Sequence, residues 1–191
     1  MFDGGVFLGE NPTKGLGKSV PELVGYLRSA GISKAFCVSY EAVYYSTFSG
    51  NQSTLDMCGT NEGCLQPMAV INPKNYDSTG DYIQSYIKPN FLGIALFPSL
   101  QHWNVRSFTV RNILKTSGEL GIPVQFTINS QEMLFAVAEH AREVDTTILI
   151  RWIGRGGYDV VSEILSIGLE LENILFDVGN IMQSGGVEFL V

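Results

Sequence analysis

Short apolar runs and longer amphipathic stretches alternate along this chain. The apolar runs occupy residues 2–8, 35–38, 68–71, 91–97, 123–128, 147–150 and 174–178. They are continuous rather than alternating, the pattern of strands buried on both faces, as in a parallel sheet. Helical periodicity fills the gaps. One helix opens at Ser19-Val20-Pro21-Glu22, with Ser19 as N-cap and Pro21 in the first turn, and stops at Gly31. Others are predicted over 77–87, ended by Pro89; over 105–120, ended by Gly121; over 130–142; and over 158–169. Residues 39–66 are polar, with a helical stretch near 53–62, and 180–191 reads as an incomplete seventh helix.

Strand and helix in alternation define an α/β fold with a parallel sheet. An open doubly wound sheet and a closed barrel compete for that pattern. No G-x-G-x-x-G opens the first helix, and Gly4-Gly5 lies inside the first strand, so the barrel is favoured. A full barrel has eight units and about 250 residues. The expectation is therefore a TIM-like (β/α) barrel with seven βα units visible, the eighth being missing or supplied by a partner.

Composition narrows the classes. Of the 191 residues, 45% are hydrophobic and 16% charged, which describes a folding chain rather than a disordered one. No apolar run is long enough to span a bilayer, and MFDGGVFLGE has no basic segment or long apolar stretch of a secretory signal. A cytoplasmic protein without membrane contact is the expectation. The net charge of −7 and scattered Lys and Arg argue against a nucleic-acid partner. Three cysteines, Cys37, Cys58 and Cys64, do not make a disulfide framework. Cys37 reads as a small buried hydrophobe. Cys58 and Cys64 lack two further zinc ligands at sensible spacing, since only His102 and His140 are available.

The order of motifs resembles the amidohydrolase-related family of metal-dependent hydrolases, whose members open with Ile-Asp-x-His-x-His-Leu-Gly. Here residues 2–9 read FDGGVFLG. Further segments are similar in order: LRSAGISKAFCV at 27–38, QPMAVINP at 66–73, LGIALFP at 92–98, GIPVQFT at 121–127, IRWIG at 150–154 and NILFD at 173–177. The resemblance implies one barrel domain over residues 1–191, C-terminally incomplete. It also places Gly5, Phe7, Thr127 and Trp152 where the family has metal-binding histidines, and Ala95 where it has a lysine. A transition metal needs imidazole, carboxylate or thiolate donors at about 2.0–2.3 Å, so no metal and no cofactor are expected. Without them the activated water of a metal hydrolase is not available.

Candidate chemistry remains at the strand ends, where a barrel builds its sites. Glu41 follows the second run, Asn72 the third, His102 the fourth, and Arg155, Asp177 and Asn180 the later ones. Tyr44, Tyr45 and Phe48 would stack on a ligand or cover the barrel top. Gly154-Arg155-Gly156-Gly157 precedes a helix and would hold an anion or serve as a plain turn. Arg151 sits late in an apolar strand and needs an anionic partner, either Asp3 or Asp177. A salt bridge is the first reading for it, substrate binding the second. His102 reads as a surface-loop histidine, with a general-base role as the alternative. His140 is placed on a solvated helix exterior. Two functions follow. One is a non-catalytic binding or interaction subunit, a pseudoenzyme that kept the barrel. The other is a metal-independent hydrolase or lyase acting on a small carboxylate through Arg151, Asp177, His102 and Arg155. A homo-oligomer or partner protein closing the barrel edge, and a small anionic ligand, are the expected partners.

Overall fold

The computed structural model describes residues 2–15, 17–59, 63–75, 80–154 and 158–177. These fall into two compact units. The first holds the described residues up to Asn75 together with Asp81–Ala95, and the second holds Gly80 and those from Leu96 onward.

In the first unit, β1 (Phe2–Leu8), β2 (Lys34–Ser39), β3 (Leu65–Val70) and β4 (Gly93–Leu96) pair in sequence order and in parallel, with a bulge between Asp3 and Val6. Helix α1 (Val20–Ser29) begins where the sequence signals it. The Glu22 carboxylate accepts the Ser19 backbone N–H at 2.9 Å and its hydroxyl at 2.6 Å, which holds the carboxyl below its usual range. Gly31 at φ 73° turns the chain toward β2. Leu8, Leu27, Ala35, Cys37 and Leu65 form the core between strand and helix.

The polar stretch after β2 is more ordered than its composition suggests. It forms two helices, α2 (Tyr40–Tyr44) and α3 (Thr47–Cys58), rather than one helical stretch near 53–62. Hydrogen bonds replace apolar burial as the reason. Ser39 caps α2 and donates to Gly50 O at 2.7 Å, while the Thr54 hydroxyl accepts Ser39 N–H at 2.9 Å. Gly50 must lack a side chain, because a Cβ there would run into the backbone of Ala42. Asn51, fully buried, donates to Val70 O at 3.0 Å and accepts Val70 N–H at 2.8 Å. Its amide thus acts as a one-residue strand partner and ties α3 to the end of β3.

A π-helical turn, Ile83–Ile87, runs into α4 (Lys88–Asn90). Pro89 therefore lies inside the helical segment instead of ending it. It occupies the first turn of α4, where a missing N–H is harmless. The part of this predicted helix over 77–79 lies outside the described residues.

The second unit carries α5 (Pro98–Gln101), α6 (Phe108–Leu120), β5 (Val124–Ile128), α7 (Gln131–Ala141), β6 (Ile148–Trp152), α8 (Tyr158–Glu170) and β7 (Ile174–Asp177). β5, β6 and β7 are parallel neighbours in that order. Ser107 and Ser130 cap α6 and α7, and Gly121 at φ 68° ends α6. The short α5 is not among the predicted helices; Pro98 opens it, in the first turn, where a missing N–H is harmless. His140 corrects another expectation. It is buried, with Nε2 2.8 Å from the carbonyl of Val105, so its ring anchors the segment before α6 rather than facing water. The predicted helix over 180–191 lies outside the described residues. No helix among the described residues is long and apolar enough to cross a membrane.

All three cysteines are buried, and Cys37 Sγ lies 3.1 Å from Cys58 Sγ. Hydrogen bonding to Cys58 and burial push the Cys37 thiol well above its usual range. All three thiols should therefore react with a thiol-exchange reagent only on denaturation, followed as colour release with and without urea. The Asn51 clamp gives a second test. Asn51→Ala strands two backbone groups and should lower the unfolding free energy by about 2–4 kcal/mol, read from urea titration.

Candidate functional site

The second unit's sheet has two unlike faces, because side chains alternate along each strand and register partners on parallel neighbours share a face. One face carries Phe126, Ile150 and Phe176. Helix α8 packs on it, since a Cβ on Gly168 would touch the Phe176 ring at 3.5 Å. The opposite face carries Gln125, Leu149 and Leu175 and, one step further toward the strand ends, Thr127, Arg151 and Asp177. Leu175 on that face is 55% exposed.

Thr127, Arg151 and Asp177 form one row across three strands. Thr127 is paired in register with Arg151, and Arg151 with Asp177. Arg151 Nε stands 3.6 Å from Asp177 Oδ2, with side chains 19% and 17% exposed. That separation is an ion pair but too long for a hydrogen bond. Arg151 Nε accordingly has no hydrogen-bond partner, and neither has the Thr127 hydroxyl next to it. Thr127 is 4% exposed. Two polar groups that folding normally satisfies are thus left unmatched side by side. The third such atom, Trp152 Nε1, belongs to the other face, because Trp152 pairs with Ile128.

The structure brings Arg151 and Asp177 together, Asp177 being the carboxylate that the arginine required. Asp3 is engaged locally, its Oδ1 accepting the Gly5 N–H at 2.8 Å. His102 is exposed and caps α5 in the left-handed region at φ 53°. That conformation is uncommon outside glycine and asparagine. Asn72 makes a turn after β3, accepting Lys74 N–H at 3.1 Å on its side chain. Arg155 and Asn180 lie outside the described residues. Thr127 is the residue that sequence reasoning passed over as a site group, having been read only as a replaced histidine.

Glu41 lines a separate cleft of about 430 Å³ in the first unit, together with Glu10, Tyr40, Tyr45, Ser53 and Asp56. Ser49 and Ser53 hydrogen-bond its carboxylate and hold it below the usual range, Ser53 Oγ donating at 2.7 Å. Tyr45 and Phe48 are 74% and 72% exposed, and Phe48 stacks on Tyr86 at 6.4 Å.

The positions matched to metal-binding histidines do not supply a metal site. Gly5 has no side chain, and Phe7 stacks on Tyr40 with ring centroids 4.7 Å apart. Thr127 and Trp152 leave opposite faces of their sheet, so no single ion could meet both. Among the described residues no three His, Cys, Asp or Glu side chains converge for a metal.

No family model and no curated protein matches this sequence. Solved structures do match its fold. A protein described as a 2-pyrone-4,6-dicarboxylic acid hydrolase from Pseudomonas putida superposes with a TM-score of 0.71 at 14% identity, covering 98% of this chain and 73% of its own. Amidohydrolase 2 from Bifidobacterium longum subsp. infantis gives 0.66 at 14% identity, covering 99% and 77%. A protein described as a fructose-1,6-biphosphate aldolase from Coccidioides immitis gives 0.53 at 12% identity, covering 92% and 64%. At such identities the likeness is one of fold. The chain has a TIM-like (β/α) barrel fold of the kind found in amidohydrolases, with seven parallel strands among the described residues.

The Glu41 carboxyl makes acid stability testable. Its folded pKa is depressed, so its contribution is present above the unfolded value near about 4.3 and is lost as pH falls through the folded value. Glu41→Gln should therefore lose less melting temperature than the wild type between about pH 6 and about pH 3. Equal losses would show that the serine hydrogen bonds do not survive in solution.

Proposed function

We propose that this chain is a degenerate relative of the amidohydrolases, one that keeps the barrel as a binding or interaction subunit and has given up metal-dependent hydrolysis. The observation that carries this reading is the replacement of the metal donors by Gly5, Phe7, Thr127 and Trp152, the last two on opposite faces of one sheet. In place of an ion, the Thr127 face presents a guanidinium and a hydroxyl whose hydrogen-bonding capacity is unspent. Such groups recognise a small anion. The pseudoenzyme reading also expects a homo-oligomer or a partner protein along β7, where Leu175 is 55% exposed.

A second reading keeps catalysis: a metal-independent hydrolase or lyase acting on a small carboxylate. The close approach of Arg151 to Asp177 favours it, since a carboxylate beside a cation can hold a substrate and accept a proton from it.

Metal content separates the first reading from an ordinary family enzyme. Protein purified without chelator should carry less than about a tenth of an equivalent of zinc, manganese or iron. A full equivalent would overturn the loss of the metal. Light scattering on the same sample should show a dimer or larger; a monomer would remove the partner expectation alone. Turnover of small carboxylate esters or lactones by metal-free protein, abolished in Asp177→Asn, would move the second reading to first place.

A further inference from the structure

We propose that the cleft at the ends of β1 and β2 is a binding site for a small aliphatic diamine in its dicationic form. Every residue the site uses lies in the first unit, so it is independent of the Arg151 row and of whether catalysis survives there. The cleft volume, about 430 Å³, is that of a small-molecule site. Its walls are of two kinds. Leu8 and Met57 supply carbon surface, and so does the Tyr40 ring, which stacking on Phe7 at 4.7 Å holds in place. Glu10, Glu41 and Asp56 supply carboxylates. Tyr45, which also lines the cleft, is 74% exposed and offers a ring face at its opening.

Three features give the ligand its chemistry. The first is uncompensated charge. Ion pairs among the described residues all lie in the second unit, so none of the three carboxylates has a basic partner. The second is a fixed acceptor. Ser49 and Ser53 hydrogen-bond the Glu41 carboxylate, Ser53 Oγ donating at 2.7 Å, which leaves about two of its four lone-pair sites for a guest. An ammonium group donates to such sites, whereas an anion is repelled from them. The third is spacing. Ser53 and Asp56 are three residues apart in α3, hence neighbours on the face that lines the cleft. Since Ser53 touches Glu41, Asp56 adds a second carboxylate about one helical turn (~5.4 Å) further along. Two ammonium groups joined by a four-carbon chain match that spacing, and the methylenes between them meet Leu8 and Met57. The Tyr45 ring adds a cation–π contact. A bare divalent ion lacks such a match, because no three His, Cys, Asp or Glu side chains converge for a metal among the described residues.

Calorimetric titration of the full chain at neutral pH and fixed ionic strength tests this with 1,4-diaminobutane. The comparisons are 1-aminobutane, which has one charge, and magnesium chloride, a dication without carbon. The expected result is saturable heat with the diamine, about fivefold weaker binding of the monoamine, and no heat beyond dilution with magnesium. Asp56→Asn should bring the two amines to near parity and leave the monoamine unchanged. Glu41→Gln should weaken both about tenfold. Tyr45→Ala should weaken both about threefold and leave the melting temperature near that of the wild type. If Glu41→Gln fails to fold, Asp56→Asn and Tyr45→Ala, both at exposed positions, still decide the matter. Magnesium heat equal to that of the diamine, or diamine affinity unchanged in Asp56→Asn, would overturn the proposal.

Discussion

Strands buried on both faces tolerate a charged side chain only where something compensates it. The second unit of this protein is organised around that constraint. β5, β6 and β7 are apolar almost throughout, and Arg151 is the one charged residue within β6. Register places Asp177 beside it, on the adjacent strand and at the same level. The compensation is electrostatic but incomplete, because 3.6 Å leaves the Nε–H without an acceptor. An arginine fork could make a far closer match to a carboxylate. The neighbouring Thr127 hydroxyl is likewise buried without a hydrogen-bond partner.

The first unit solves a different problem by similar means. Its connections are polar, so backbone groups at the strand ends must be satisfied by side chains rather than by a covering of apolar residues. Asn51, Ser39 and Thr54 do this around β2 and β3. In the second unit Asn173 reaches the carbonyls of Ala141 and Val144, and Thr146 reaches that of Leu114. Connections anchored in this way can carry side chains such as Glu41 in fixed positions, a precondition for any cleft built on them.

How much of this could be read in advance depends on where the information lies. The strands were legible because two-sided burial writes a continuous apolar run into the sequence. Ser19, Ser130 and Gly121 marked their helix ends because capping is local chemistry. Helices α2 and α3 were hard to read because tertiary hydrogen bonds through Asn51 and Thr54 stabilise them, and those partners lie across the fold. Pro89 misled because a proline that ends one helix is indistinguishable in sequence from one that opens another. His140 was misplaced because its acceptor, Val105 O, is 35 residues away. Charge alone called for a carboxylate beside Arg151 and left Asp3 and Asp177 as alternatives; the register of β6 on β7 decides for Asp177. Thr127 was not legible, as its importance arises from the register of β5 on β6, which a sequence does not write down.

The two tryptophans of this chain, Trp103 and Trp152, are both buried and both belong to the second unit, whereas the first unit has tyrosines and phenylalanines but no tryptophan. The chain thus carries a natural optical asymmetry. Indole emission reports on one half of the polypeptide, while far-ultraviolet dichroism reports on the helices of both. Comparing the two signals along a denaturant series turns this accident of composition into a gauge of cooperativity: superimposable curves describe one melting body, and separated curves describe two.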